Sequence, residues 1–136
     1  MNRKPRYVFD TNVIVSALLF SQSTSDRALK LALDQGEILL SDAVAEELGD
    51  VLLRARFDRY VQRKTREEFL RALIIKATFV DIIEHIQVCR DPKDNRFLEL
   101  AVNGDASCII SGDDDLIALN PFRGITIFPP HEFCAA

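Results

Sequence analysis

Residues 6–20 read RYVFDTNVIVSALLF and place one aspartate, Asp10, between two apolar runs. The residues before it predict a short buried strand, and residues 13–20 predict a helix that follows Thr11 and Asn12. Asp10 is therefore expected at the carboxyl end of the strand. Because an unpaired carboxylate is costly to remove from water, it must serve as a helix cap, an ion pair or a metal ligand.

Strands and helices alternate along the rest of the chain. Further strands are expected at residues 37–41, 107–111 and 124–128, and one more at residues 79–83 or 85–89, where only residues 86–88 have a clearly extended pattern. Further helices are expected at residues 25–35, 42–55, 65–79, 91–104 and 114–119. The strands are short and rich in Ile, Val, Leu and Phe, which is typical of a parallel sheet covered on both faces. We therefore predict an α/β fold, and the length of 136 residues suits a single domain spanning residues 1–136.

Composition excludes several classes of protein. The three cysteines are widely spaced and the two histidines lie far apart, so no disulfide framework, zinc site or histidine-based catalysis is expected. The apolar residues 13–20 are too few to span a bilayer, and Asp10 interrupts any signal-peptide pattern. We expect a cytoplasmic protein without a membrane partner.

The predicted helix at residues 42–55 directs one carboxylate toward the sheet. Its apolar residues cluster on one side at 3.6 residues per turn, and Glu47 flanks that side. Glu46 points to the opposite side and is expected to be exposed. Helix phase therefore selects Glu47 as the residue that needs a partner near the sheet.

The predicted helix at residues 91–104 carries a second such carboxylate. Asp91 stands before a proline and is explained as the N-cap. Apolar residues follow Asp94 at three, four and seven positions, so Asp94 lies on the inward face while Arg96 is expected to point outward. A favourable interaction with the helix dipole explains a charge at Asp94 but not its inward direction.

The strand at residues 107–111 ends much as the first strand does, because Asp113 follows it after a single glycine. Asp114 or Asp115 is expected to cap the short helix that comes next. Sites in parallel sheets form outside the carboxyl ends of the strands, so Asp10 and Asp113 are expected at the same edge.

Four acids are thus expected to converge at one edge of the sheet, with no inward Lys or Arg to neutralise them: Asp10, Glu47, Asp94 and Asp113. Each acid alone has a structural explanation as a cap or ion-pair partner. Together, like charges raise each other's pKa or require a cation. Oxygen ligands without histidine or cysteine suit Mg²⁺ or Mn²⁺ rather than zinc. Such ions can activate a water and hold a phosphodiester for attack.

Basic residues concentrate elsewhere, although the whole chain has a formal net charge of -4. Residues 54–66 read RARFDRYVQRKTR and hold six basic residues against one acid, interleaved with Phe57 and Tyr60. A solvated helix end and loop would explain this run. A basic rim beside an acidic centre is the alternative, and it would give a nucleic acid the positive surface that it needs.

Four motifs in this order resemble the PIN domain, in its branch of VapC-type toxins: VFDTNVIVSALL, AEEL, DPKDNRFLELA and CIISGDDDL. The resemblance runs nearly from end to end, and the combination of DTN with SGDDDL carries most of its specificity. It implies a PIN-like fold, a three-layer α/β/α sandwich with a central, mostly parallel sheet. It also implies a ribonuclease that depends on Mg²⁺ or Mn²⁺.

The resemblance also implies roles for individual residues. The catalytic acids would be Asp10, Glu47, Asp94 and Asp113, and the metal ligands would be Asp10, Asp94, Asp113 and Asp115. Asn12 and Ser111 match positions of small polar groups that orient the acids or their waters. The residues expected to hold RNA phosphates are Arg54, Arg56, Arg59, Arg63, Lys64 and Arg66.

Partners follow from the same resemblance, which implies an RNA substrate, a protein antitoxin and a homodimer. A second reading is an RNA- or protein-binding PIN module with weak or no nuclease activity. A response-regulator receiver is disfavoured because the last strand, GITIF, ends without a lysine. A haloacid-dehalogenase-type phosphatase is disfavoured because Asn12 stands where it needs a second aspartate.

Overall fold

A computed structural model describes residues 3–136. Its strands are β1 (Arg6–Phe9), β2 (Glu37–Leu40), β3 (Thr78–Phe79), β4 (Cys108–Ile110) and β5 (Thr126–Phe128). Its α-helices are α1 (Thr11–Leu19), α2 (Thr24–Gln35), α3 (Asp42–Leu52), α4 (Arg63–Lys76), α5 (Asn95–Asn103), α6 (Asp114–Ile117) and α7 (Pro130–Ala135). Short 3₁₀ helices lie at Ala55–Phe57 and Pro92–Asp94. Within residues 3–136, no helix combines the length and the apolar composition needed to cross a bilayer.

The strands form one sheet in the order β3-β2-β1-β4-β5, and every neighbouring pair is parallel. This confirms the predicted α/β class with a parallel sheet. The chain proceeds outward from β1 through β2 to β3, and then returns to the other side of β1 for β4 and β5. Strand order therefore reverses between β1 and β4, and such a reversal opens a crevice at the carboxyl ends of the two strands.

Alternate side chains of the strands enter two apolar cores on opposite faces of the sheet, as the two-residue period of a strand requires. Tyr7 and Phe9 of β1 pack with apolar residues of α1, α2 and α7. Val8, which lies between them, packs with apolar residues of α5 on the other face. These layers confirm the three-layer α/β/α arrangement.

The strand expected at residues 86–88 is absent, and this prediction was wrong; the alternative at residues 79–83 overlaps the observed strand only at Phe79. The backbone N–H of Ile86 donates to Glu99 Oε2 at 2.9 Å, and that of Val88 donates to Asn95 Oδ1 at 3.1 Å. Side chains of α5 thus accept hydrogen bonds from backbone N–H groups that would pair with a neighbouring strand in a sheet. The edge strand is instead β3, which lies where the end of the helix at residues 65–79 was expected.

Two helices begin differently from the prediction. Asp10 is the N-cap of α1, because its side chain accepts from the backbone N–H of Asn12, so the helix starts directly after it. Asp113 caps α6 through the backbone N–H of Asp115. The expectation that Asp114 or Asp115 caps this helix was therefore wrong. Both strand-end aspartates stabilise the helix that follows, and this fixes one oxygen of each carboxylate.

Arg66 of α4 is fully buried, so the expectation that it contacts RNA phosphates was wrong. Its guanidinium donates to the backbone carbonyls of Leu52 at 2.7 Å, Arg54 at 3.1 Å and Val61 at 3.0 Å, and it also pairs with Asp58. The planar fork of an arginine suits such a multiple contact. Arg66 therefore fixes the backbone of the basic segment, residues 54–66, from beneath.

Replacing Arg66 by Met is expected to lower the free energy of unfolding by about 3 kcal/mol or more, because buried carbonyls lose their donor. Urea denaturation followed by circular dichroism measures the change. Arg63→Met is the matched control, since Arg63 lies on the same helix in an exposed ion pair with Glu67, and a change below about 0.5 kcal/mol is expected. Equal changes in the two variants would contradict this role of Arg66.

Candidate active site

Asp10 is the most buried acid at the carboxyl ends of the strands, with 6% of its surface exposed. Its backbone N–H donates to the carbonyl of Ile110 at 2.9 Å and so extends the pairing of β1 with β4. Burial raises the pKa of Asp10, and the charges of Asp113 and Glu47 raise it further. Hydrogen bonds from Ser111 and from the backbone of Asn12 act in the opposite direction. Uncharged hydrogen-bond donors thus hold Asp10 in place, but they do not neutralise its carboxylate.

Ser111 links the two strand-end aspartates. Its side chain is buried, and its hydroxyl donates to Asp10 Oδ2 at 2.8 Å. The Ser111 hydroxyl oxygen in turn accepts a hydrogen bond from the backbone N–H of Asp113 at 3.0 Å. A single hydroxyl thereby sets the position of Asp113 relative to Asp10, across the crevice between β1 and β4.

Asp94 lies at the start of α5 and faces the other two acids. Burial raises the pKa of Asp94 to about 7, with further contributions from the charge of Asp113, a hydrogen bond with the Asp113 carboxyl, and the charges of Asp91 and Asp10. Asp94 therefore retains a proton readily near neutral pH, or requires a cation in its place.

Glu47 of α3 has partners that the sequence did not indicate. Thr11 Oγ1 donates to Glu47 Oε2 at 3.0 Å, and Arg96 Nη1 lies 3.5 Å from the same oxygen. The expectation that no inward arginine neutralises the acids was therefore wrong, because Arg96 turns from α5 toward α3. Within residues 3–136, no hydrogen bond reaches Glu47 Oε1.

The remaining predicted groups lie at the edge of this site. Asp115 is exposed, and its backbone N–H donates to Asp113 Oδ1 at 2.9 Å. Asn12 is also exposed and reaches Asp10 Oδ1 through its backbone N–H at 3.2 Å. Asp10, Asn12 and Asp113 line the same depression, which measures about 380 Å³. Glu46 is exposed, as helix phase predicted.

The Cys89 thiol lies close enough to the acids for their charges to affect its pKa. Burial raises the pKa of this thiol to about 11, and the charges of Asp94, Asp113, Asp91 and Asp115 add to the effect. The thiol therefore stays protonated at neutral pH and is a poor metal ligand. The donors that the site offers to an ion are carboxylate oxygens.

The acids fit a hard divalent cation by chemistry and charge. Asp10, Asp94 and Asp113 bring several negative charges together, and oxygen ligands of this kind suit Mg²⁺ or Mn²⁺. As the side chains stand, however, no three His, Cys, Asp or Glu residues in the described part of the chain are grouped closely enough to hold an ion. Binding would therefore require Asp94 and Asp113 to turn toward Asp10, which its hydrogen-bond donors hold in place.

The basic segment lies at one side of the acids. Arg54, Arg56, Arg59, Arg63 and Lys64 are all exposed. Arg54 lines a depression of about 380 Å³ together with Glu47, Lys93 and Arg96. Arg54 is therefore the residue of the basic segment that shares a depression with Glu47.

Comparison with known proteins gives a consistent result. The family described as "PIN domain" matches residues 6–115. The uncharacterized protein MJ1680 of Methanocaldococcus jannaschii is 30% identical over 118 residues, which make up 85% of this chain and 76% of that protein.

Solved structures share the fold at low sequence identity. VapBC2 from Rickettsia felis, bound to a DNA fragment from their promoter, has a TM-score of 0.61 at 13% identity, over 90% of this chain and 96% of that chain. FitAcB from Neisseria gonorrhoeae has a TM-score of 0.59 at 16% identity, over 92% of this chain and 98% of that chain. FitAB bound to an IR36 DNA fragment has a TM-score of 0.58 at 16% identity, over 91% and 94%.

The raised pKa of Asp94 predicts a pH-dependent stability in the absence of divalent ions. Between the ordinary pKa of 3.8 and the folded-state value of about 7, the folded protein retains a proton that the unfolded chain has lost. This contribution therefore destabilises the fold as pH rises, and Asp94→Asn is expected to raise the melting temperature in EDTA more at about pH 8 than at about pH 5.

Thermal unfolding followed by circular dichroism in EDTA measures this difference. Asp34→Asn is the matched control, because Asp34 is exposed on α2, away from the site. A wild-type melting temperature whose pH dependence is the same in Asp94→Asn would contradict the assignment.

Proposed function

Because the chain belongs to the PIN domain family, we propose that it is an Mg²⁺- or Mn²⁺-dependent endoribonuclease that hydrolyses RNA phosphodiester bonds. The observation that carries the proposal is the convergence of Asp10, Asp94 and Asp113 at the reversal of strand order. Burial raises the pKa values of Asp10 and Asp94, and the charges of neighbouring acids raise them further, so these carboxylates are costly to the fold. Such a cost is characteristic of functional sites.

Asp10, Asp94 and Asp113 would hold the metal, and Asp115 at the rim is an additional ligand. The bound ion would activate a water and stabilise the charge that develops on the phosphate. Ser111 and the backbone of Asn12 hold Asp10 in a fixed position, so that ligand does not have to be ordered when the ion binds.

Glu47 is proposed as the fourth catalytic acid. Thr11 and Arg96 both contact Oε2, and this orients the carboxylate and leaves Oε1 to accept a hydrogen bond from the attacking water. Arg96 also balances the charge of Glu47, so Glu47 adds less to the repulsion among the other acids. Thr11 and Arg96 act here as positioning residues for Glu47.

RNA would bind along the exposed part of the basic segment. The proposed phosphate contacts are Arg54, Arg56, Arg59, Arg63 and Lys64, without the buried Arg66. Arg54 stands closest to the acids, since it lines the same depression as Glu47. Guanidinium groups suit this role because they bind phosphate oxygens in pairs.

The proposed biological role is that of a toxin in a toxin-antitoxin system, acting on cytoplasmic RNA as a homodimer with a protein antitoxin as partner. The sequence resembles VapC-type toxins, and the solved structures that share the fold include VapBC2 and FitAB, each bound to a DNA fragment. These likenesses support an antitoxin partner more than they support an RNA substrate.

A second candidate function is an RNA- or protein-binding PIN module without nuclease activity. The specific observation in its favour is that the acids in residues 3–136 are not yet grouped to hold an ion. Such a module would bind RNA with an affinity that falls as salt rises, and it would cleave none with any divalent ion.

Incubation of the purified protein with mixed RNAs and Mg²⁺ or Mn²⁺ separates the two candidates. A nuclease should cleave, EDTA should stop it, and Asp10→Asn should lower the rate by more than about 100-fold, which exceeds the usual loss for a group that only orients a ligand. Asp10→Asn keeps a side-chain oxygen at the N-cap of α1, so its circular dichroism should match the wild type.

Asp34→Asn is the control for a change of charge elsewhere and should cleave as the wild type does. Full activity of Asp10→Asn, or full activity in EDTA, would contradict the proposed mechanism. RNA binding without cleavage under every ion condition would favour the binding module.

A further inference from the structure

Two exposed aromatic side chains meet on a surface that the acids do not occupy. Phe20 at the end of α1 is 53% exposed, and Tyr60, which follows the first 3₁₀ helix, is 55% exposed. Their ring centroids are 6.3 Å apart, and the ring planes meet at 67°. Exposed aromatic rings in mutual contact are costly in water and are typical of binding surfaces.

Arginines lie on the rings of the same segment. The guanidinium of Arg59 lies 5.4 Å from the ring centroid of Tyr60, and that of Arg56 lies 4.8 Å from the ring centroid of Phe57. Both distances allow a cation–π contact. The pattern of an arginine followed by an aromatic residue therefore occurs twice within five residues, RFDRY.

The charge of this surface is positive. Asp58 is the one acid in residues 54–66, and its carboxylate pairs with the buried Arg66. Arg56 and Arg59 have exposed side chains on either side of it. A ligand with negative charges and flat apolar groups would match this surface, and single-stranded nucleic acid has both.

The surface is also held in a fixed shape. Arg66 binds the carbonyls of Leu52, Arg54 and Val61, which bracket the loop that carries Tyr60. A platform whose backbone is already ordered loses little conformational entropy when a ligand binds. The ordered backbone therefore supports a role for this surface in ligand binding.

The surface lies within reach of the acids. The helix α1 begins directly after Asp10 and ends before Phe20, so at 1.5 Å per residue the two positions are about 15 Å apart. Arg54, at the start of the basic segment, already lines the depression that contains Glu47. A strand of a few nucleotides could contact both places.

We propose that Phe20 and Tyr60, with Arg56 and Arg59, form a stacking platform for unpaired bases of single-stranded RNA beside the acidic site. The identity of the nucleic acid rests on the proposed function. Bases would stack on the two rings while the guanidinium groups bind the adjacent phosphates. Because duplex RNA keeps its base faces stacked inside the helix, the platform favours single strands over duplexes.

Intrinsic tyrosine fluorescence provides a direct test, because the chain has two tyrosines and no tryptophan. Tyr7 is buried, so quenching by added RNA reports Tyr60. The probe is a single-stranded oligouridine, titrated in EDTA so that no cleavage occurs, with an RNA duplex of the same length as comparison. We expect quenching by the single strand and little by the duplex.

Substitutions with a labelled oligouridine, followed by fluorescence anisotropy, measure the contribution of stacking. Tyr60→Ala and Phe20→Ala are each expected to weaken binding by about 10-fold, within the range for loss of one stacked base. Tyr60→Phe keeps a ring and should bind within about twofold of the wild type. Phe79→Ala is the matched control, since Phe79 is an exposed aromatic on the edge strand β3 and should not change the affinity.

The outcomes separate this inference from the proposed function. Unchanged RNA affinity in both Tyr60→Ala and Phe20→Ala overturns the platform, whether or not the protein cleaves RNA. Loss of affinity in these variants, together with a wild type that cleaves no RNA under any ion condition, supports the platform and removes the nuclease proposal.

Discussion

Repulsion among carboxylates at the ends of β1 and β4 is the constraint to which the rest of the site responds. Because these strands are parallel neighbours, their carboxyl ends lie side by side, and an aspartate follows each strand. Asp94 approaches from the start of α5, and burial together with the charges of Asp113, Asp91 and Asp10 raises its pKa to about 7. Donors from Ser111 and from helix N-termini reduce the cost of this arrangement but supply no full positive charge. The fold therefore holds a site whose charge is unbalanced.

Two other acids of the chain, unlike these aspartates, form ion pairs with arginines. Arg96 pairs with Glu47, and the buried Arg66 pairs with Asp58. The first pair leaves Glu47 oriented next to the aspartates, and the second gives the one acid of the basic segment a cationic partner. The molecule consequently presents an acidic crevice beside a positive surface that carries aromatic rings. This separation of charge is what a metal-dependent enzyme with a polyanionic substrate requires.

Local patterns in the sequence were sufficient to predict part of this arrangement. Each short apolar run that ends in an aspartate indicated a strand end, and the positions of apolar residues in the helices placed Asp94 inward and Glu46 outward. Strand order reverses between β1 and β4, so the two strand ends became neighbours as expected for a parallel sheet. The family resemblance added expected roles for these residues, which spacing alone does not reveal.

The features that could not be predicted depend on contacts between distant parts of the chain. Arg66 reads as one more cation in a basic run, but its long side chain reaches carbonyls at the end of α3. Arg96 has an outward helical phase, yet its length lets it turn back to Glu47. Residues 86–88 have the composition of a strand, and the side chains of Glu99 and Asn95 satisfy their backbone instead. Long flexible side chains and side-chain-to-backbone bonds leave no periodic signal in a sequence.

Calorimetric titration of the metal-free wild-type protein with Mn²⁺ at about pH 7, repeated in buffers of different ionisation enthalpy, tests whether the carboxylates bind a cation. We expect saturable binding that releases protons, because an ion displaces the proton that Asp94 holds near neutral pH. The heat of binding should then depend on the buffer. The absence of saturable binding, or binding whose heat is the same in every buffer, would contradict the claim that these carboxylates are held together for a cation.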